Sequence, residues 1–227
     1  EADLKAIEKN IEDEKHLDKA TFKDLGTPWI RHLVFVGIIL SVIQQIAGIN
    51  VIMYYGTTVL EHSGFGVKTA LIANVANGCM SVIASWFYMH YLANRCRRRP
   101  LLIFGYVGST VTLLVMGIVS RVLVGSAILP YVVVVLTMIY LAIFQSTLGP
   151  LTWLLLSEIF PLRVRGMGYG IATFFNWISD FGVGLGFPLA IASIGLSNTF
   201  FVFVGFGIIC IVCSSAFVPE TFGQSLE

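Results

Sequence analysis

Six apolar runs, each long enough to cross a lipid bilayer and set apart by short polar turns, leave this chain few folds to choose from. They cover about residues 33–60, 67–92, 101–120, 129–156, 167–193 and 199–218. A hydrocarbon core of ~30 Å needs ~20 apolar residues of helix, and every run supplies them. Backbone N–H and C=O groups meet no water at that depth, so runs of this length must satisfy them internally, as helices. Across the 227 residues 56% are hydrophobic and 12% charged, and the mean hydropathy of +0.85 excludes an ordinary soluble domain. The pattern predicts an all-α polytopic membrane protein, a bundle of six transmembrane helices over 29–218.

Charge placement orients the bundle. Segments 1–31, 94–99, 157–166 and 219–227 fall on one side of a six-span chain and hold 12 of the 14 Lys and Arg residues, leaving Lys68 and Arg121 on the other. The positive-inside rule makes the richer side cytoplasmic, with both ends of the chain there. Residues 1–28 form a cytoplasmic segment. Leu4, Ile7 and Ile11 recur at helical spacing among eight acids and five lysines in 1–24, which predicts a surface amphipathic helix or a solvated linker. Residues 219–227 form a cytoplasmic tail. The chain opens on this charged stretch without an initiating Met and reads as part of a longer protein.

Polar side chains inside the runs point to function, because hydrocarbon leaves amides unsatisfied. The first run holds Gln44, Gln45, Asn50, Tyr54 and Tyr55. On an unbroken helix Gln45 and Asn50 would lie about 140° apart. Gly48 stands between them, and an unwound glycine would let the two amides converge, as in transporter sites built from interrupted helices. Amides on a wet face suit a neutral, hydroxyl-rich ligand. Asn74, Asn77 and Ser81 form a stripe on the second run. The fourth contains Gln145 and Trp153 around a break expected at Gly149 and Pro150. On the fifth, Thr173, Asn176, Trp177 and Asp180 share a face that should line a cavity. An ionised Asp180 at that depth costs about 2.5–3.5 kcal/mol on insertion scales, so hydrogen-bond donors, protonation or a wet vestibule must offset it.

Four motifs occur in an order that resembles the sugar porter family of the major facilitator superfamily. QQIAGINVIMYY (44–55) is similar to that family's seventh span, the basic run Arg95 to Pro100 to its turn between spans eight and nine, EIFPLRVRG (158–166) to its loop after the tenth, and PETFGQSLE (219–227) to its signature after the twelfth. The resemblance implies the C-terminal half of a transporter that moves a monosaccharide or polyol by alternating access. Its partners would be the sugar, the lipid bilayer, and an N-terminal six-span half or a second copy of this half. Gln44, Gln45 and Asn50 match the family's sugar-binding positions, and Tyr54 and Tyr55 match residues along the path. Asn77, Trp153, Asn176, Trp177 and Asp180 are further candidate contacts, with Asp180 standing where the family usually has an amide. Gly149 and Pro150 resemble the family's gating break. Glu158 and Arg165, with Arg95 and Arg98, resemble its cytoplasmic charge network, although Asn94 and Arg97 replace an expected acid and glycine. The same amides could simply tie helices together, and the arginines could serve topology alone.

Other classes find less support. His16, His32, His62 and His90 lie at or near run ends with no Ser–His–acid grouping apparent, so no enzyme is expected, and no cofactor. The Cys210-x-x-Cys213 pair sits in an apolar run without a second ligand pair, so no metal site is expected. Gly182, Gly184 and Gly186 lack the spacing and the preceding strand of a dinucleotide fingerprint. A net charge of +1 argues for no nucleic-acid partner. The rival readings are a porter for another small neutral solute and a sugar sensor that binds without transport. The acid that drives proton symport in many members lies in the other half, so coupling is open.

Overall fold

The computed structural model describes residues 24–93 and 95–221, and within them the chain is a bundle of membrane-length helices. The first crossing is made of α1 (Pro28–Ile46) and α2 (Ile49–His62). Pro28 opens α1, where its missing N–H has no helical partner to lose. Gly48 lies between the two helices with φ 95°. α3 (Val67–Phe87) makes the second crossing and ends in a π-helical turn at Tyr88–Leu92. α4 (Arg98–Val122) is the third crossing, and α5 (Leu129–Ser146) with α6 (Leu148–Ile159) the fourth.

The last helix, α7 (Arg165–Phe217), is 53 residues long without a loop, where the sequence predicts a connection between two spans. A straight helix of that length would measure ~80 Å, far more than one bilayer. It folds back at Gly195, whose φ 80° and ψ 165° are not helical. Asn176, on the first arm, donates to the Ser41 carbonyl of α1, and Cys210, on the second, places its Sγ 3.3 Å from the Ile43 carbonyl. On a straight helix those two residues would stand ~50 Å apart. The arms therefore cross separately, and the count of crossings is six.

The interior is close-packed by aromatic and branched side chains, among them Leu40, Ile52, Tyr106, Met116, Tyr140 and Phe200, all at 1% exposure or less. Lipid tails are as apolar as leucine, so packing rather than water exclusion holds such helices together. Phe160 shows how. A Cβ on Gly37 would stand 2.8 Å from its ring and one on Gly168 2.5 Å, so the ring fills a slot that only glycines on both flanking helices leave open.

One expectation needs correction. The fourth crossing breaks at Thr147 (φ −134°, ψ −76°), ahead of Gly149 and Pro150. Those two lie in the first turn of α6, where a residue without an N–H forfeits no bond within that helix. The amphipathic helix expected in 1–28 lies outside the described residues up to position 23, as does the tail beyond 221; Asp24–Gly26 form a single 3-10 turn.

Candidate functional site

The break at Gly48 turns α2 so that Asn50 comes back over Gln45, and a chain of hydrogen bonds follows from it. Asn50 Nδ2 donates to Gln45 Oε1 at 2.8 Å and also to Asp180 Oδ1. Asp180 Oδ2 accepts from the Tyr54 hydroxyl at 3.2 Å. Gln45 Nε2 donates to Asn176 Oδ1 at 2.8 Å. Asn176 Nδ2 uses both hydrogens, on Gln44 Oε1 at 2.9 Å and on the Ser41 carbonyl at 3.2 Å. Gln44 Nε2 reaches the Gly149 carbonyl at 3.4 Å. Three crossings are thereby joined through amides and one carboxylate.

Burial grades along this chain. Asn176 is 0% exposed, Gln44 4% and Gln45 6%, whereas Tyr54 is 59% exposed and Asn50 intermediate. A cleft of about 310 Å³ opens on the network between the two broken crossings, lined by Gln44, Gln45, Asn50, Gln145, Gly149 and Trp153. Gln145 also lines a second cleft of about 390 Å³ with Ser81, Ser85 and Trp86. A larger hollow of about 730 Å³ lies at the span ends around Ser120, Ser126 and Ser197. It shares no residue with the network, so the amide-lined cleft is the better candidate despite its smaller size.

The structure brings together most but not all of the residues singled out by sequence. Gln44, Gln45, Asn50, Tyr54, Asn176 and Asp180 form the network. Trp153 is on the cleft wall, 6.1 Å centroid to centroid from Tyr169. Tyr55 turns elsewhere, donating to the Gly184 carbonyl at 2.8 Å and packing on Phe187. Asn77 is buried away from the cleft; its Oδ1 accepts from Thr137 at 3.1 Å, tying α3 to α5. Trp177, adjacent to Asn176 and so ~100° around the helix from it, stands 58% exposed.

At the arginine-rich end the expected charge network is smaller than its sequence version. Arg98 pairs with Glu158 at 3.2 Å, the other Glu158 oxygen accepts from Thr221 at 2.6 Å, and Glu220 accepts the Arg98 backbone N–H at 2.9 Å. Arg165 instead donates to the Phe160 carbonyl at 3.2 Å, and Arg95 is exposed with no ion pair among the described residues. The reason is geometric. Arg165 opens α7 only a short turn after α6 ends, and its Nε is taken by the nearest free carbonyl.

Two participants were not singled out as site residues. Gln145 makes no hydrogen bond among the described residues, though it lies in a membrane span. Its signal was an amide four residues before Gly149. Tyr140 donates to the Ala47 carbonyl at 2.9 Å, satisfying the C-cap of α1. A tyrosine in an apolar run gives no such signal.

A helical bundle with six crossings, two of them broken at a shared polar cleft, has the architecture of a six-span bundle of the major facilitator type. The chain belongs to the sugar (and other) transporter family, whose model matches residues 2–227. It is 51% identical over its whole length to the major myo-inositol transporter IolT of Bacillus subtilis, covering 48% of that protein. It is 32% identical to the D-xylose transporter of Levilactobacillus brevis, with 99% of this chain and 50% of that one aligned. Among solved structures it superposes on a D-xylose-proton symporter with a TM-score of 0.76 and 26% identity, over 97% of this chain and 49% of the other. The inward-open xylose transporter XylE from E. coli gives 0.73 and 26%, over 98% of this chain and 45% of that one. The chain thus spans about half the length of the curated relatives it matches.

Proposed function

We propose that this chain is the C-terminal half of a transporter that carries a monosaccharide or polyol across the cell membrane by alternating access, with its arginine-rich end in the cytoplasm. Residues 29–218 form the six-span half, flanked by the cytoplasmic segments 1–28 and 219–227. The observation that carries the reading is the amide network at the Gly48 break and what it leaves unused. Gln44 and Gln45 each keep one N–H without a partner among the described residues, and Asn50 keeps its Oδ1. Asp180 keeps lone pairs, and Gln145 keeps its whole amide. That set offers donors and acceptors at modest strength around one cleft, which suits hydroxyls that both give and take hydrogen bonds. Trp153 adds a flat apolar face for the C–H side of a sugar ring. The relatives named for myo-inositol and D-xylose transport support a polyhydroxylated, neutral substrate.

The cleft is open on one side, where a second six-span half would complete it. Transport then needs both halves, rocking about a site near the midplane. The Arg98–Glu158 pair, with Glu220 and Thr221, would latch the cytoplasmic ends of the helices while the site faces outward.

The test is counterflow of labelled myo-inositol and D-xylose by the complete transporter in vesicles. Gln45→Ala and Asn50→Ala each remove hydrogen bonds to the ligand of about 0.5–1.5 kcal/mol, an affinity loss of up to about tenfold. Wild-type affinity in both variants overturns the site. Binding without counterflow would identify a sensor and overturn transport.

A further inference from the structure

A groove of about 690 Å³ follows α4 at the arginine-rich end, apart from the amide cleft. Its mouth is formed by Arg97, Arg99 and Glu220 and its wall by Ile103, Phe104 and Val107. Phe104 is 65% exposed and Val107 41%, so the wall faces out of the bundle. From Arg97 to Val107 the helix rises ~15 Å, half of a hydrocarbon core of ~30 Å. The groove is one leaflet deep, charged at the surface and apolar below it.

The charge at the mouth is positive and held in place. The Arg99 guanidinium donates to the Ser215 carbonyl, which fixes it against the end of α7 and leaves further N–H groups available. Arg97 precedes the first turn of α4 and is exposed. Glu220 is the one acid on the rim among the described residues, and one of its oxygens accepts the Arg98 N–H at 2.9 Å, so it faces the helix N-terminus and complements its dipole. Two guanidiniums stand against this single engaged carboxylate. A free anion would leave the apolar wall unfilled, and an uncharged hydrocarbon would leave the arginines unmatched.

We propose that this groove binds one anionic phospholipid, its phosphate between Arg97 and Arg99 and an acyl chain along Ile103, Phe104 and Val107. The site borders the Arg98–Glu158 pair through Glu220, so an occupied groove adds negative charge next to the elements that close that end of the bundle. Lipid would thereby be a structural ligand of this end, independent of which solute the cleft carries.

The experiment is native mass spectrometry of the complete transporter titrated with phosphatidylglycerol or phosphatidylcholine, with a photoreactive acyl chain to locate the contact. One tightly held phosphatidylglycerol is expected, cross-linked to the 97–107 segment and retained in preference to phosphatidylcholine. Each arginine near a membrane surface contributes about fivefold, so Arg97→Gln with Arg99→Gln should weaken that lipid by about 25-fold. Val107→Trp, which fills the deep end of the groove and alters no charge, should also reduce retention and covers the case in which the double variant does not fold. Inorganic phosphate at the same concentration should fail to displace the lipid. Equal retention of the two lipids, unchanged binding in the folded double variant, cross-links elsewhere, or displacement by phosphate alone would each overturn the proposal.

Discussion

At Gly48 the first crossing is interrupted by a left-handed residue with φ 95°, whereas at Thr147 the fourth is interrupted by a residue with φ −134° and ψ −76°. The first interruption depends on a conformation that only glycine adopts freely. The second lies just ahead of a proline that brings no N–H to the turn. Each carries a carbonyl that accepts a hydrogen bond from the other crossing. The Ala47 carbonyl at the first break accepts from Tyr140 on α5, and the Gly149 carbonyl at the second accepts from Gln44 on α1. The two breaks thus share partners across one cleft, but they are unequal in what they present. The glycine break aims side-chain amides, and the proline break contributes a carbonyl and a flexible Gln145. Specificity should reside mainly with the first, and ease of bending with the second.

The sharpest test sets Gly48→Ala against Gly149→Ala. A left-handed alanine costs about 1–2 kcal/mol, and overpacking adds about 1–3 kcal/mol, for a total of about 2–5 kcal/mol at position 48. The crowding there is against the Phe203 ring, 2.9 Å from where the Cβ would stand. At position 149 the new atom meets only the far end of the Gln145 side chain, which can swing away, so the expected cost is within about 0.5 kcal/mol. Thermal unfolding of the complete transporter in detergent measures both. Equal costs would abolish the distinction between the breaks.

Asn176→Leu probes the network that the glycine break creates. It removes a partner from Gln45 Nε2, Gln44 Oε1 and the Ser41 carbonyl at once, all three on α1. Unsatisfied buried groups cost about 1–3 kcal/mol each, and partial re-pairing between the two glutamines holds the expected total near about 2 kcal/mol. Sugar affinity should fall with it, because Gln45 loses its anchor. A variant as stable as wild type would mean that the amides are solvated rather than tied.

Much of this was legible before any coordinates. The run lengths gave the crossings, and Gly48 between Gln45 and Asn50 gave the convergence, because each follows from helix geometry that neighbours cannot change. The i, i+4 relation also placed Asn176 and Asp180 on one face. Neighbouring helices decided the rest. Tyr54 and Tyr55 are adjacent and chemically alike, yet one meets Asp180 and the other the Gly184 carbonyl, a choice made by where α7 passes. Asn77 reads equally as a ligand contact or a tie between helices, and its bond from Thr137 follows from where α5 passes. At the arginine-rich end, several arginines competed for Glu158, and only packing selected Arg98. The connection expected between residues 193 and 199 falls at Gly195, but only the backbone shows that it is a reversal at one residue rather than a loop.

The smallest expected effect falls on the proline break. Pro150→Ala restores an N–H whose acceptor four residues back is the Ser146 carbonyl, at the end of α5. The net contribution of that bond to stability is about 0.5–1.5 kcal/mol, offset by about 0.4–1 kcal/mol from the greater freedom of the unfolded chain, so stability should change by less than about 1 kcal/mol. The larger consequence is mechanical. With the bond made, α5 and α6 splice into one straighter helix, and the crossing loses the joint at which it bends during exchange. No side chain of the amide network is altered, so equilibrium sugar binding should stay within about threefold while counterflow slows, as expected for a change at a hinge rather than at a site. Binding by calorimetry and exchange in vesicles separate the two quantities. If exchange keeps its wild-type rate, the bend is set by the Thr147 backbone and not by the missing donor, and both breaks are then conformational in origin. If binding falls with exchange, the second break shapes the site as directly as the first.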